Sequence, residues 1–182
     1  MPLYTNTTKG TVRYSSPTWE SKLVENDITL GDTISTTAGI IDPFNIPIGK
    51  YERVIGEINL FYSSDTNNEF QFRFQNVDSD NAYVDTVLKY SVVGVIAELG
   101  EGGLAANAAL EGGISQDTTT GQGTEIHLDA DSADTPLSAT IKFVAIGNEA
   151  KQGTLSFQAS NIAAVSGAAI LLAGSWINYK KF

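Results

Sequence analysis

The chain has 182 residues, of which 42% are hydrophobic, and carries a formal net charge of −10 with a pI near 4.4. Its length fits one domain with a short appendage better than two domains. The acidic balance argues against nucleic acid or an anionic membrane as the main partner, because both are bound through basic surfaces. Cysteine is absent, so we expect neither disulfides nor a thiolate metal site.

The first 25 residues are polar, with aromatic residues scattered among serine and threonine. They lack the charged and apolar regions of a secretory signal, and we expect the protein to be made in a cytoplasm and either kept there or assembled there into something larger. They also lack heptads and repeats. We therefore predict that residues 1–25 form an arm docked on another surface through Tyr4, Tyr14 and Trp19, and that residues 26–182 form the folded domain.

Alternating apolar and polar residues predict strands through most of the remaining chain. The clearest example is EFQFRFQN, in which Phe70, Phe72 and Phe74 share one face. The predicted strands span residues 51–62, 69–76, 86–99, 125–131, 137–147, 154–160 and 168–179. The residues predicted to share one face of the first strand are Val54, Ile58, Leu60 and Tyr62.

No segment of ten or more residues has helical periodicity. Residues 100–134, rich in glycine, alanine and aspartate, are predicted as a long loop with at most one helical turn at 105–110, apart from the short strand already named. The fold class that follows is all-β, an antiparallel β-sandwich and most simply a jelly roll. Several strands are apolar on both faces, so we expect copies of the chain to bury this surplus against each other.

The most apolar stretch, residues 162–177, is too short for a bilayer-spanning helix, which needs about 20 apolar residues. Ser-Gly and Gly-Ser pairs also interrupt it twice. We therefore predict a buried strand and no membrane anchor. Trp176, Tyr179 and Phe182 lie at the end of this stretch and just after it, and we predict that they lie at a subunit interface.

Two parts of the sequence resemble a module of tailed-phage virion proteins. One is GKYERVIGEINLFYSSDTNNEFQFRFQN, in which a Gly-x-Tyr strand leads through a polar loop into alternating phenylalanines. The other is GTLSFQASNIAAVSGAAILLAGSWINYKKF, with Gly-x-Leu-x-Phe-x-x-Ser-Asn followed by Ala-Gly-Ser-Trp-x-x-Tyr. The resemblance implies a trimeric jelly roll of the tumour necrosis factor and complement globular-head type. Residues 100–134 have no counterpart in the module.

The resemblance leaves the position in the virion open. A fibre brings repeats or a coiled stalk before its knob, whereas the arm has neither. We therefore expect a non-enzymatic, homotrimeric capsid decoration (cement) protein on the outer surface of the particle, which bridges the shell. Its expected partners are itself and the major capsid protein or another virion protein. The alternative is a tail-fibre or tail-tip knob that binds a host receptor or glycan through residues 100–134, and a third hypothesis is a polysaccharide-cleaving enzyme.

Few residues indicate chemistry. His127 is the only histidine, and no neighbour completes a catalytic dyad or zinc site, so we expect an ordinary strand histidine. Asp129, Asp131 and Asp134 are candidate ligands for calcium, which takes six to eight oxygen ligands. Their spacing misses the EF-hand pattern, and we expect a solvated loop with no cofactor. No serine stands in a nucleophile elbow, and no catalytic residue is predicted.

Overall fold

The computed structural model of the chain is built almost entirely from β-strands. It describes residues 3–6, 11–14, 18–31, 37–64, 68–94, 96–98, 109–114, 126–128, 136–163 and 169–182. The strands, in chain order, are β1 (Leu3–Asn6), β2 (Thr11–Tyr14), β3 (Trp19–Leu23), β4 (Ile28–Thr29), β5 (Ile46–Ile48), β6 (Arg53–Ser63), β7 (Asn68–Val77), β8 (Val87–Gly94), β9 (Ile96–Glu98), β10 (Ala109–Ile114), β11 (Ile126–Leu128), β12 (Leu137–Ile146), β13 (Gly153–Ala163), β14 (Ile170–Leu171) and β15 (Trp176–Lys181). A 3₁₀ turn at Asp42–Phe44 precedes β5.

Two antiparallel sheets pack face to face as a sandwich, and β1 and β2 form a separate hairpin. The larger sheet runs β10–β8–β12–β6. Beyond β6 it divides, because β15 pairs with one half of β6 and β14 with the other, and β3 and β4 lie outside them. The smaller sheet runs β5–β13–β7–β11–β9.

The order of the strands is that of a jelly roll. From β3 onward, β3, β6, β12 and β15 lie in the larger sheet, and β5, β7, β11 and β13 lie in the smaller one. The late strand β15 lies between β3 and β6, and β13 lies between β5 and β7. This interleaving of early and late strands across two sheets is the jelly-roll connection. The predicted all-β antiparallel sandwich is confirmed.

The core lies between the inner faces of the sheets, where period-two alternation selects the buried residues. The predicted inward positions of β6 and β7 are all buried. Phe74 stands at the centre, with its ring centroid 5.5 Å from those of Tyr90, Phe143 and Phe157. Aromatic pairs at such distances add about 0.5–1.5 kcal/mol each beyond their burial. Burial in this cluster raises the pKa of Tyr90 to about 12.

The side of the smaller sheet that points away from the sandwich core is polar and yet buried. Arg73, Gln75 and Gln158 are at most 3% exposed. Arg73 Nε donates to Gln158 Oε1 at 2.9 Å, and Gln158 Nε2 donates to the carbonyl of Ala38 at 2.8 Å. Ile40 forms a bridge with Gln158, so this part of the chain runs along β13. These hydrogen bonds compensate part of the cost of burying Arg73 and Gln158.

The predicted strand at 168–179 is interrupted. The chain turns between β14 and β15 at Gly174, whose φ of +91° favours glycine. The turn deprives the backbone N–H of Phe61 on β6 of a ladder partner. The fully buried Ser175 replaces it, since its Oγ accepts from Phe61 N and donates to the carbonyl of Leu172, both at 2.9 Å.

β10 corrects the prediction of a long loop with a helical turn, whereas β11 lies where a short strand was predicted. β10 pairs with the outer side of β8, and β11 pairs with both β7 and β9. Ala109 and Leu110 thus lie in a strand, because a short isolated helical turn is marginal and an open sheet edge satisfies their backbone groups. The strand predicted at 86–99 is divided as well, with β8 in the larger sheet and β9 in the smaller one.

The arm boundary predicted at residue 25 falls inside the sandwich. β3 pairs with β15, so that Trp19 lies opposite Lys180 and Leu23 lies opposite Trp176. These residues of the predicted arm therefore form an edge strand of the larger sheet, because the polar stretch completes the ladder on the free side of β15. Among the described strands, β1 and β2 pair only with each other.

Candidate assembly interface

Most of the exposed large apolar side chains in the described part of the chain lie on one surface, the outward side of the larger sheet. We call this surface, formed by the outward residues of β3, β15, β6, β12 and β8, the outer face. Its exposed large apolar residues are Trp19, Leu23, Phe61, Val93 and Val144. Each is between 40% and 54% exposed. A sixth, Tyr51, is 69% exposed and lies in the turn before β6.

The strand register arranges the outer face in rows that cross the sheet. One mixed row is Trp19–Lys180–Ile55–Val144–Lys89. A second mixed row is Leu23–Trp176–Asn59–Thr140–Val93. A polar row, Ser21–Asn178–Glu57–Lys142–Ser91, lies between them. Residues directly opposite in such pairs stand about 4.5–5.5 Å apart, so the face is a continuous surface with apolar positions on both sides of a polar centre.

The polar groups at the centre of the outer face are bonded to one another. Asn59 Nδ2 donates to Glu57 Oε1 at 3.0 Å, and Thr140 Oγ1 donates to Asn59 Oδ1 at 2.8 Å. The Nζ of Lys142 lies 3.9 Å from Glu57 Oε2. A buried polar group that keeps a partner avoids most of its desolvation penalty. This centre is therefore suited to being covered by another protein surface.

The outer face is cationic although the protein is acidic. Its described side chains include Arg53, Lys89, Lys142 and Lys180, against the single carboxylate of Glu57. The whole chain carries a net charge of −10. The charge of the face thus has the opposite sign to that of the protein, which favours an acidic partner surface.

One end of the outer face combines cations with aromatic rings, and we call Trp19, Tyr51, Arg53, Lys180 and Phe182 the cation–aromatic corner. Lys180 Nζ lies 5.2 Å from the ring centroid of Phe182 and 5.9 Å from that of Trp19. Both distances are within the range of a cation–π attraction, which is about 6 Å. Arg53 pairs with Phe182 through two backbone hydrogen bonds of 2.8 and 3.3 Å. Tyr51, Arg53 and Phe182 line a cavity of about 440 Å³.

Tyr51 stands in an unusual backbone conformation. Its φ is +56°, and the N–H of Glu52 donates to the carbonyl of Gly49 to close the turn. A non-glycine residue in the left-handed region costs about 1–2 kcal/mol. The Tyr51 hydroxyl lies 3.5 Å from a carboxylate oxygen of Glu149, which is too long for a strong hydrogen bond. An exposed, strained aromatic side chain is typical of a binding surface.

The three residues predicted at a subunit interface divide between two environments. Trp176 and Phe182 are half-buried, with Trp176 on the outer face and Phe182 at its corner. Tyr179 instead points into the core of its own chain, is 2% exposed, and donates to Glu20 Oε2 at 2.5 Å. Burial and this hydrogen bond raise the pKa of Tyr179 well above its ordinary value. Successive side chains of a strand point to opposite faces of the sheet, so Tyr179, three residues after Trp176, faces the core while Trp176 faces outward.

The side chains predicted to anchor the arm are described only in part. Tyr4 and Tyr14 belong to β1 and β2, and their side chains lie outside the described residues. Trp19 lies on β3 and is 52% exposed at the corner. Its anchoring role remains a prediction, but its position joins it to the outer face.

The predicted calcium ligands Asp129, Asp131 and Asp134 lie outside the described residues. Within the described residues, no cluster of three or more potential metal ligands occurs. His127 lies on β11, opposite Gln71 on one side and Glu98 on the other. In the part of the chain that is described, no helix has the length and apolar character that crossing a membrane demands.

Asp78 organises the turn after β7. Its Oδ1 accepts from the backbone N–H groups of Asp80 and Ala82, each at 2.9 Å, and its Oδ2 lies 3.2 Å from Lys151 Nζ. The hydrogen bond from Ala82 and then the contact with Lys151 hold the pKa of Asp78 below its ordinary value. This carboxylate thus has a structural role in the loop.

Sequence reasoning anticipated the surplus of apolar surface but missed most of the residues that carry it. The side chains of Phe61, Val93 and Val144 point away from the core, opposite to the buried residues next to them in their strands. Apolar residues at both parities of a strand were the available signal. Tyr51 gave no such signal, because its φ depends on the turn that follows Gly49.

No family model matches the chain, and no curated protein matches it. Its similarities to solved structures are weak. One is to infectious bursal disease virus Gt strain, at 11% identity and a TM-score of 0.29, covering 100% of this chain and 46% of that chain. A second similarity is to the Gx strain of the same virus, at 10% identity and a TM-score of 0.24, covering 100% of this chain and 44% of that chain. A third is to the VP2 subviral particle of the same virus, at 11% identity and a TM-score of 0.20, covering 99% of this chain and 45% of that chain. The chain spans less than half the length of these chains, and its jelly roll is assigned from its own strand order.

Proposed function

We propose that this chain is a non-enzymatic structural protein of a virion that assembles as a homotrimer and decorates the outside of the capsid shell. The jelly roll supports the proposal, since viral capsid domains are among those that use it. A fold by itself does not define a function. The observation that carries the proposal is the concentration of exposed apolar side chains on the outer face.

The size of the outer face fits a stable interface. The five strands of the outer face, in the order β3, β15, β6, β12 and β8, span about 24 Å together with the neighbouring β10, at 4.8 Å per strand. The strand β12 is about 34 Å long. The footprint is therefore at most on the order of 800 Å², about the area that each partner buries in a standard interface.

The hairpin of β1 and β2 supports a tethering role for the arm. A two-stranded hairpin is at best marginally stable by itself in water. Among the described strands, it pairs with nothing else. We propose that it docks on the major capsid protein or another virion protein. Three arms on one trimer multiply the effective affinity, because the second and third arms bind as parts of the same particle.

The test combines solution mass with binding to shells of the same virus. Native protein should sediment as a trimer and bind to shells that lack it. Tyr4→Ser/Tyr14→Ser should keep the trimer and lose most shell binding. Ser79→Ala/Gln152→Ala, two exposed residues of the sandwich that lie outside the outer face, serves as the control and should keep both properties.

Two outcomes would overturn the decoration role. If the protein is a single subunit at micromolar concentration, the proposed trimer is wrong. A trimer that ignores shells but binds a host glycan or receptor, with or without the arm substitutions, would identify a tail-fibre or tail-tip knob instead.

A further inference from the structure

The negative charge of this protein is concentrated in one segment of the sequence. Residues 98–134 contain eight aspartate and glutamate residues and no lysine or arginine, so this acidic segment carries −8 of the net −10. The outer face shows the reverse, with four cations and one carboxylate among its described side chains. Opposite charges are therefore concentrated in the sequence of the acidic segment and on the outer face.

One described strand of the acidic segment, β10, lies far from the cation–aromatic corner. β10 is the edge of the larger sheet, and β8, β12 and β6 separate it from β15. At about 4.8 Å per strand, β10 stands about 19 Å from β15 and about 24 Å from β3. Within one copy, the anchor of the segment and the corner thus lie at opposite edges of the sheet.

The chemistry of the corner suits a carboxylate-rich chain. Lys180 lies between the rings of Trp19 and Phe182, and Arg53 lies beside them. Aromatic rings that exclude water strengthen the attraction between a cation and an incoming carboxylate. The many glycine and alanine residues between the carboxylates of the segment allow its backbone to approach the rings closely.

Building on the self-assembly proposed above, we propose that the cation–aromatic corner of one copy binds the acidic segment of a second copy, with Arg53 and Lys180 paired to its carboxylates. The two surfaces differ, so the contact is heterologous and each copy offers its corner to one neighbour and its segment to the other. Heterologous contacts close into a ring when the rotation between copies allows it. A trimer requires this arrangement.

Two charge-reversal variants test the contact from its two sides. The corner variant is Arg53→Glu/Lys180→Glu, with Asn26→Glu/Gln152→Glu as a control that adds negative charge at exposed positions outside the outer face. The segment variant is Asp129→Lys/Asp131→Lys, with Glu25→Lys/Asp80→Lys as a control at exposed carboxylates elsewhere. Circular dichroism and thermal unfolding establish that each variant is folded, and Arg53→Gln/Lys180→Gln provides a milder corner variant.

Sedimentation at micromolar concentration is the measurement. Native protein should associate, and less strongly as NaCl rises from 0.1 to 1 M, because the Debye length falls from about 10 to about 3 Å. Each reversal variant alone should associate at least about tenfold more weakly, while the controls behave as native. A mixture of the two variants should form mixed complexes smaller or more open than the native trimer, because the intact corner of one variant binds the intact segment of the other, whereas a closed ring of three would contain one like-charged contact.

The outcomes separate this contact from the proposed assembly. If native protein and both variants associate equally well, the corner does not bind the segment, and the trimer stands on other contacts. If both variants fail alone and their mixture forms no complex at all, the corner and the segment do not bind each other between copies and the proposal is overturned. If native protein is a single subunit at every salt concentration, the proposed trimer itself is wrong.

Discussion

The ring of Phe143 on β12 fills the space in which a side chain on Gly56 of β6 would begin. The two residues are directly paired across the ladder, and a Cβ on Gly56 would lie 2.5 Å from Cζ of Phe143. Gly56 stands at an inward position of β6, between the buried Val54 and Ile58. Its missing side chain allows Phe143 to lie against the strand and reach Phe74, 5.5 Å away.

Gly56→Ala should lower the free energy of unfolding by about 1–3 kcal/mol, because an added methyl group overpacks this site. Urea denaturation measures the change. Gly31→Ala is the matched control, since nothing lies within 4 Å of the point that a Cβ would occupy there, and it should change stability by less than about 0.5 kcal/mol. In a Phe143→Leu background the Gly56→Ala penalty should shrink, and an unchanged penalty would contradict the clash.

Ser175→Ala should lower the free energy of unfolding by about 1 kcal/mol, because it removes the acceptor of the partly buried N–H of Phe61. Chemical denaturation is again the measurement. Ser138→Ala, at an exposed position of β12, should be nearly neutral. Equal effects of the two substitutions would show that Ser175 does not repair the ladder.

Leu60 and Phe61 are neighbours on β6 that face opposite ways, at 0% and 40% exposure. Leu60→Ala should cost about 2–5 kcal/mol of folding free energy, as buried leucines do. Phe61→Ala should cost less than about 1 kcal/mol and should weaken self-association measured by sedimentation. A Phe61→Ala protein that associates as tightly as the native one would exclude this part of the outer face from the interface.

The charge of Asp78 should make stability depend on pH. Its folded-state pKa is lowered, so its stabilising contribution is present above the ordinary pKa, about 3.9, and is lost as the pH falls through the lower folded-state value. Native protein should therefore have a higher melting temperature than Asp78→Asn near neutral pH. The gap should close in acid, and a gap that stays constant at every pH would exclude the carboxylate charge as its cause.

Tyr51→Asn should raise the free energy of unfolding by about 1 kcal/mol, because asparagine tolerates a positive φ better than tyrosine. The same substitution should weaken self-association, since it removes the exposed ring from the corner. Thermal unfolding and sedimentation measure the two effects on one protein. If stability rises and association is unchanged, the ring has no part in assembly.

Much of the fold could be predicted because strand faces are a local property of the sequence. Phe70, Phe72 and Phe74 are buried as their alternation predicts. The division of residues 168–179 could not be predicted, because it depends on the φ of Gly174 and on Ser175 bonding to a distant strand. The strand at β10 was missed for the same reason, since only pairing with β8 favours it over a turn.

The sequence by itself determined the class of fold, the acidic charge and the surplus of apolar positions, since each depends on residue type and on spacing along the chain. Only the tertiary structure decided where that surplus lies. It turned Tyr179 inward against Glu20, and it brought Trp19, Arg53 and Lys180 together from strands far apart in the chain. The physical reason is that a surface is created by strand register and pairing, and these are chosen by the packing of the whole sandwich.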